Sequence, residues 1–360
     1  MPVHTFTRPR GELVSLTIDA PVLRGNLLGD PHVRTALVYL PEGYRRGHQR
    51  YPVFVDLASF SGSGLKRVAW SAFGESVPQR LDRLVAAGKM GPVIAVFPDC
   101  FTSLGGNQYV DSPVTGRWDS FLREALLPRV EAEFRVRPGR AGRAVYGKSS
   151  GGYGALVQGM RHADVWGAVA CSSGDMGFDL VYRPDLPRAL DVLARSGGSI
   201  AAFLERLAGS TKLGGAEFQA LTVLAMAASY DPQPDQPLGI RLPVDPHTGE
   251  LDEAAWQRWL AHDPVHMIDD PGCQAQLRSL HGLYLEVGSH DQYMLHYGAR
   301  ALVRRLKAAR IEHVYEEFPD DHNNTDYRLD VSLPYLYAAL ERGAAPGAPI
   351  PDTLSPKTGH

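Results

Sequence analysis

The chain has 360 residues, of which 44% are hydrophobic and 21% are charged, and its formal net charge is -3. This ordinary globular composition, with both signs of charge interspersed, excludes a polybasic surface for nucleic acid or a membrane. Three cysteines are too few, and odd in number, for a disulfide framework. Because the sequence begins without an apolar leader and has no run of about 18 apolar residues, we expect a soluble, cytoplasmic protein.

Eight segments have the continuous apolar or alternating pattern of β-strands. In chain order they are residues 12–18, 35–40, 51–57, 92–97, 144–146, 166–171, 282–287 and 313–318. Segments with helical spacing of apolar residues lie between most of these strands or after the last, at 75–88, 118–134, 296–309 and 330–342. Because strands and helices alternate, the sequence predicts an α/β fold with a mostly parallel eight-stranded sheet flanked by helices.

One long segment, residues 176–275, breaks this alternation. Its helical patterns lie at 186–195, 199–208, 215–228 and 252–261. We predict that this segment is a helical lid, or cap, inserted after the sixth strand above the carboxyl ends of the strands, where ligands bind in open α/β sheets. Residues 1–175 and 276–342 then form the core, and the tail at 343–360, rich in Pro, Gly and Ala, is expected to be disordered.

A serine framed by glycines follows the fifth predicted strand. In Gly147-Lys148-Ser149-Ser150-Gly151, glycines stand two residues before and two residues after Ser149, and a helix-like segment follows. This is the Gly-x-Ser-x-Gly pattern of a nucleophile elbow, a sharp strand-to-helix turn that holds a strained serine where a substrate reaches it. The glycines are needed because a Cβ would clash where strand and helix approach each other. The pattern predicts that Ser149 is the nucleophile of a serine hydrolase.

The same stretch also matches the P-loop string, in which glycine and any four residues precede Gly-Lys-Ser. The match runs from Gly142 to Ser149 and would indicate nucleotide binding. A P-loop needs its strand before the first glycine and a flexible loop after it. Here the residues before Gly142 are not strand-like, and the apolar residues 144–146 fall where the loop should be. The context therefore favours the nucleophile elbow, and the nucleotide binder stays a remote alternative.

A serine hydroxyl needs a histidine to take its proton and a carboxylate to orient that histidine. In folds with a nucleophile elbow, the acid and the histidine follow the serine in that order. Asp291 comes after the seventh predicted strand and His322 after the eighth, so both lie at the same sheet edge as Ser149. We predict that Asp291 and His322 complete a catalytic triad. Asp320 and Asp321 adjoin His322 too closely in sequence to orient it easily and rank as backups or surface charges.

Acyl transfer also needs two N–H donors for the oxyanion that forms on the substrate. One is expected from the backbone of Ser150, at the start of the helix, where the helix dipole also favours negative charge. The other is expected from the loop after the third predicted strand, at the backbone of Ser59 or Phe60. The alternative for that loop, which is rich in small residues, is a flexible connector.

The ordered combination of these motifs resembles the putative-esterase (esterase D-like) branch of the α/β-hydrolases. That group includes feruloyl esterases, S-formylglutathione hydrolase, enterochelin esterases and bacterial mycolyltransferases. The resemblance covers about residues 10–175 and 280–340, and it implies the α/β-hydrolase fold and a triad at Ser149, Asp291 and His322. The segments that carry it are Pro52–Leu57, Val93–Asp99, Trp118–Pro128, Gly147–Ala155, Gly288–Asp291 and His322.

Two positions depart from the family's pattern. Relatives usually have His-Gly after the third strand, where this chain has Ala58-Ser59, and an apolar or small residue where this chain has Lys148. The segment at 176–275 is also much larger than in compact members of the family.

The sequence therefore predicts a carboxylic-ester hydrolase that works through an acyl-enzyme and acts on a small-molecule ester. Acyl transfer to an alcohol or sugar uses the same residues and remains an alternative, as does a non-catalytic binding protein on the same fold. No cofactor is expected. No cysteine or histidine cluster has the spacing of a zinc site, so no metal is expected either. Neither nucleic acid nor a membrane is predicted as a partner, and a single sequence does not indicate the oligomeric state.

Overall fold

An eight-stranded sheet lies at the centre of the protein, whose computed structural model describes residues 4–344. Its strands are β1 (Glu12–Asp19), β2 (Val33–Leu40), β3 (Val53–Leu57), β4 (Ile94–Pro98), β5 (Arg143–Lys148), β6 (Ala168–Ser172), β7 (Gly282–Gly288) and β8 (Val314–Phe318). Their spatial order is β1-β2-β4-β3-β5-β6-β7-β8. The pairs β1–β2 and β2–β4 are antiparallel, and all other neighbours are parallel. The predicted mostly parallel sheet is confirmed.

Helices cover both faces of this sheet. They are α1 (Gly64–Val68), α2 (Val77–Ala86), α3 (Trp118–Ser120), α4 (Leu127–Glu133), α5 (Ser150–Arg161), α6 (Phe178–Val181), α7 (Leu186–Ala194), α8 (Ile200–Ala208), α9 (Gly215–Tyr230), α10 (Glu253–Leu260), α11 (Pro264–Met267), α12 (Pro271–Ser279), α13 (Leu295–Ala308) and α14 (Leu329–Ala344). A π-helical stretch, Phe121–Leu126, joins α3 to α4. Helices α2 and α14 bury their apolar residues on one face. Helices α5 and α13 and the segment between β6 and β7 pack on the other face.

The central strands form because their sequences are apolar on both sides. Every residue of β3, β4 and β7 is buried. Alternate residues of β3 belong to the two cores: Phe54 packs with α2 and α14, whereas Val53 and Val55 pack with the opposite core. Burying one such side chain contributes about 1.5–3 kcal/mol relative to leaving it exposed. The continuous apolar runs in the sequence therefore reflect a sheet that is covered on both sides.

The segment between β6 and β7 folds into helices α6 to α12. Its buried side chains belong to the same hydrophobic core as one face of the sheet. Trp256 and Trp259 stack one helical turn apart, with ring centroids 5.5 Å from each other, and both are buried. The tryptophan pair is thus core packing rather than an exposed surface. These helices share one hydrophobic core with the sheet. The assignment of residues 176–275 to a separate cap stays a prediction.

Several short elements were not predicted. Helix α1 lies in the loop after β3, a hairpin pairs Asp111–Ser112 with Gly116–Arg117, and α12 follows the predicted cap helices. Each is too short, or too polar, to show a periodic pattern, so tertiary contacts decide its conformation. The last helix extends to Ala344, into the start of the predicted tail. The rest of that tail lies outside the described residues.

Candidate active site

Ser149 stands in a tight turn between β5 and α5. Its backbone has φ 58° and ψ -127°, which is a strained conformation for a residue with a side chain. The turn is possible only because Gly151 lacks a Cβ, which would lie 1.8 Å from the carbonyl oxygen of Leu57. Strand β5 begins directly after Gly142, so residues 144–146 are strand and not loop. The P-loop alternative is therefore wrong, since it needs the strand before that glycine.

His322 and Asp291 meet at the same sheet edge, in the loops after β8 and β7. The imidazole Nδ1 lies 2.7 Å from Asp291 Oδ2, and both side chains are buried. The backbone N–H of Tyr293 donates to Asp291 Oδ1 at 2.9 Å, and that of His322 donates to the side chain of Gln292 at 2.9 Å. These contacts orient the carboxylate and make Nδ1 the nitrogen that donates to it. The other ring nitrogen, Nε2, is left for a substrate or a nucleophile.

The backup carboxylates have other partners. Asp320 accepts hydrogen bonds from the backbone of Asp321 and from the Tyr327 hydroxyl, at 2.9 and 3.0 Å. Asp321 is exposed and accepts from the backbone N–H of Asn323. Both carboxylates order the loop after β8. In the structure, His322 is therefore hydrogen-bonded to Asp291 and not to Asp320 or Asp321.

A cavity of about 520 Å³ connects these residues, and its wall includes both Ser149 and His322. Among residues 4–344, no hydrogen bond joins the Ser149 hydroxyl to the imidazole of His322. Such contacts are often long or misaligned in the absence of a substrate and tighten when one binds. The ring of Tyr293 stands edge-on to His322, with centroids 4.9 Å apart, and is half exposed at the same cavity.

The three residues expected to hold an oxyanion also line this cavity. Ser150 is the first residue of α5, so its N–H belongs to the unpaired helix terminus. Ser59 donates its hydroxyl to the carbonyl oxygen of Lys148 at 3.1 Å, which ties the loop after β3 to the strand before the serine. Phe60 is buried and packs edge-on against Phe218 at 5.7 Å. These contacts hold the loop beside Ser149, and its role as an oxyanion donor stays a prediction.

Lys148 has a charged environment. Its side chain lines the cavity, and burial lowers the pKa of its ammonium group while the carboxylate of Asp326 opposes that shift. Arg67, which sequence reasoning missed, joins Asp56 at 2.9 Å and Asp326 at 3.2 Å. Asp56 is the buried end of this network. The charge beside Ser149 thus belongs to a set of both signs, which joins β3, β5, α1 and the loop after β8.

Asp175 is a second missed residue at the cavity. It follows β6, is buried, and accepts hydrogen bonds at Oδ2 from Gln108 Nε2 (2.7 Å), the Tyr182 hydroxyl (2.8 Å) and the Ser150 hydroxyl (3.3 Å). Its place at the carboxyl end of a central strand was the one available signal, since such ends gather ligand-binding residues. That signal does not identify its partners, which come from distant parts of the chain.

The sequence matches the model of a known protein family. The family model described as "Putative esterase" matches residues 31–333. The chain belongs to the putative esterase family. This confirms the resemblance inferred from the motifs.

Curated proteins and solved structures agree with this family. The chain is 33% identical to an esterase of Mycobacterium tuberculosis over 175 residues, which are 45% of this chain and 34% of that protein. It thus spans about a third of the length of this curated relative. A ferulic acid esterase structure has a TM-score of 0.58 at 20% identity, over 92% of this chain and 100% of that one. The S-formylglutathione hydrolase FrmB of Staphylococcus aureus has a TM-score of 0.56 at 12% identity, over 91% and 99%. These similarities confirm the α/β-hydrolase fold of this putative-esterase family member.

Residues 4–344 contain no group of three or more His, Cys, Asp or Glu side chains placed to hold a metal ion. No helix in the same range is long and apolar enough to cross a membrane.

Cys100 and Cys171 are buried free thiols, and burial raises the pKa of Cys171 to about 12. These two side chains therefore pack rather than react.

Proposed function

We propose that this chain is a serine hydrolase that cleaves carboxylic esters through an acyl-enzyme. Ser149 attacks the ester carbonyl, and His322 takes the hydroxyl proton and gives it to the departing alcohol. Asp291 holds the imidazole in the required tautomer and stabilises its positive charge. The observation that carries the proposal is the 2.7 Å contact between His322 Nδ1 and Asp291, made at the cavity that also exposes a strained Ser149.

The oxyanion of the tetrahedral intermediate is held by backbone N–H groups in this mechanism. Ser150 supplies one of them at the start of α5, where the helix dipole adds to the attraction. The second comes from Ser59 or Phe60, whose turn is tied to the Lys148 carbonyl. Losing one such donor typically costs about 2.7–4 kcal/mol of transition-state stabilisation. Where the family usually has His-Gly, this chain has Ala58-Ser59, and the Ser59 hydroxyl anchors the turn.

Deacylation repeats the same steps with water as the nucleophile. His322 takes a proton from the water, which attacks the acyl carbon and releases Ser149. The helical segment between β6 and β7 acts in this proposal as the predicted cap. Its side chains Tyr182, Phe218 and Met226 line the cavity in which the ester is cleaved. These side chains select the substrate and limit the water that enters.

The test is the Ser149→Ala variant with a p-nitrophenyl butyrate assay and a fluorophosphonate label. We expect kcat/KM to fall by about 10⁴-fold or more, because a triad acts as a unit once its nucleophile is lost. Labelling should disappear at the same time.

Ser289→Ala is the matched control. Its hydroxyl lies at the same sheet edge, and its side-chain contact is with His290 at 3.2 Å, outside the proposed triad. This variant should keep wild-type activity and labelling. Full activity of Ser149→Ala would refute the proposed function.

A further inference from the structure

The carboxylate of Asp175, in the loop after β6, lies at the wall of the cavity. It lines the same space as Ser149, and its hydrogen bond to the Ser150 hydroxyl places it one residue from the nucleophile. All hydrogen bonds that it accepts from residues 4–344 end at Oδ2. A carboxylate oxygen has two acceptor sites of its own. Within the part of the chain that the structure describes, Oδ1 therefore has no partner at the wall of the substrate cavity.

Strained backbone holds the Asp175 network in place. Gln108 and its neighbour Tyr109 have φ 56° and φ 55°, in the left-handed region that side chains rarely adopt. Ser173, two residues before the carboxylate, has φ 43°. A Cβ at Gly174 would lie 2.4 Å from Cys171 Sγ, so the chain reaches Asp175 by a close approach. Strain of this kind persists where the surrounding structure enforces it, and it is concentrated at functional sites.

No direct ion pair meets the charge of Asp175, although the nearby imidazole of His322 favours that charge electrostatically. The partners of Asp175 are neutral donors, an amide and hydroxyls, and no Lys or Arg in residues 4–344 forms an ion pair with it. Burial raises the pKa of this carboxyl group, which shows that its surroundings disfavour the charge. A buried polar oxygen costs free energy unless it is hydrogen-bonded, so the unpaired Oδ1 indicates a donor on a group that enters the cavity.

The surrounding wall indicates what that group is attached to. Val181, Phe218 and Met226 line the cavity on the side of the cap helices and offer apolar contacts. A chain or ring of carbon atoms fits such a wall, and one hydrogen-bond donor on it would meet Oδ1. Sites that hydrogen-bond a substrate hydroxyl discriminate strongly against analogues that lack it, because the buried acceptor is then left unpaired.

We propose, on the basis of the ester-hydrolase function above, that Asp175 is a specificity-determining residue that accepts a hydrogen bond through Oδ1 from a hydroxyl group on the apolar part of the ester substrate. The preferred substrates are then esters of hydroxylated alkyl or aryl units. Gln108, Tyr182 and Ser150 hold Oδ2, so that Oδ1 stays directed at the cavity.

The experiment compares matched pairs of p-nitrophenyl esters that differ by one hydroxyl. The pairs are 3-hydroxybutyrate against butyrate and 3-(4-hydroxyphenyl)propionate against 3-phenylpropionate, so that a short and a long spacing are both sampled. The wild type should prefer the hydroxylated member of at least one pair by about tenfold or more in kcat/KM. Equal rates within both pairs would overturn the proposal without any variant having to fold.

Asp175→Asn is the diagnostic variant. Its amide oxygen can replace Oδ2 in the network, and its NH₂ then faces the cavity as a donor in place of an acceptor. The ratio of kcat/KM for the hydroxylated ester to kcat/KM for the plain ester should fall about tenfold or more, whatever the change in the plain-ester value. An equal loss on both members of a pair would assign Asp175 a structural role and overturn the proposal.

Tyr182→Phe is the control for a general weakening of the hydrogen bonds that hold Asp175. It removes one donor to Oδ2 and leaves Oδ1 in place, so it should lower the melting temperature but keep the hydroxyl preference. Loss of the preference in Tyr182→Phe together with its retention in Asp175→Asn would also overturn the assignment. The ester-hydrolase proposal is judged separately by Ser149→Ala on plain butyrate, so failure of one is distinguishable from failure of the other.

Discussion

The loops at the carboxyl ends of β5, β7 and β8 and the helical segment between β6 and β7 form the same cavity by different means. The loops place Ser149, Asp291 and His322 through backbone geometry and short hydrogen bonds at strand ends. The helical segment contributes its wall through side-chain packing, in which Phe178, Tyr182, Tyr230 and Trp259 form a continuous aromatic cluster. Positions of reacting atoms thus depend on the sheet, whereas the shape of the cavity depends on how the helices pack.

The polar contacts that the two regions make near the cavity differ as well. The sheet edge holds the ionic network of Asp56, Arg67 and Asp326 beside Lys148. In the helical segment, the aromatic hydroxyls of Tyr182 and Tyr230 share the amide of Gln108. Substitutions at the sheet edge should therefore change the rate of the chemical step, whereas those among the helices should change stability and substrate choice.

The largest expected effect is that of Asp291→Asn at the sheet edge. The amide keeps the shape but favours the wrong imidazole tautomer, so kcat should drop by about 10⁴-fold. The midpoint of urea unfolding and the preference within the ester pairs should change little. Asp320→Asn is the control, since that carboxylate contacts Asp321 and Tyr327 rather than His322. An equal loss of activity in the control would contradict the assigned acid.

Trp259→Ala tests the other region. Its indole is fully buried between Tyr182, Tyr230 and Trp256, so truncation should lower the free energy of unfolding by about 3–5 kcal/mol in urea titrations. Trp70→Ala removes a tryptophan that is 74% exposed and should cost no more than about 0.5 kcal/mol. The folded Trp259→Ala protein should keep kcat on p-nitrophenyl acetate within about tenfold. A 10³-fold loss of kcat in Trp259→Ala would contradict the view that the helical segment sets stability and the sheet edge sets the chemical step.

The smallest expected effect is a pH dependence of the free energy of unfolding, which arises from His262 between α10 and α11. Its Nδ1 is buried and has no hydrogen-bond partner among residues 4–344, its ring lies 5.3 Å from that of Tyr230, and burial lowers its pKa to about 4. The unfolded chain takes up this proton near pH 6.5, so the contribution to stability is present above pH 6.5 and is lost as pH falls towards 4. The loss should be on the order of 1–3 kcal/mol.

Urea titrations at pH 7.5, 6, 5 and 4 measure this dependence. His262→Phe, which keeps an aromatic ring against Tyr230, should flatten the profile between pH 6.5 and 4. His48→Phe changes an exposed histidine and should leave the profile as in the wild type. A wild-type slope that persists in His262→Phe would assign the pH dependence to other groups.

Much of the sheet edge could be predicted because its signals are local. Buried strands appear as apolar runs, and a serine between two glycines indicates a turn that only small residues permit. The order of parallel strands then brings the loops after β7 and β8 together, so the pairing of Asp291 with His322 follows from chain order. Their catalytic roles, and that of Ser149, stay predictions until the variants are measured.

The sequence by itself determined the α/β-hydrolase sheet, the strand that Ser149 follows, and the loops that carry Asp291 and His322. Only the tertiary structure decided the surroundings of Asp175 and Lys148. Gln108 meets Asp175 across 67 positions of the chain, and Arg67 meets Asp326 across 259. The physical reason is that these contacts depend on strained loops and on how helices settle on the sheet, and neither leaves a periodic pattern in the sequence.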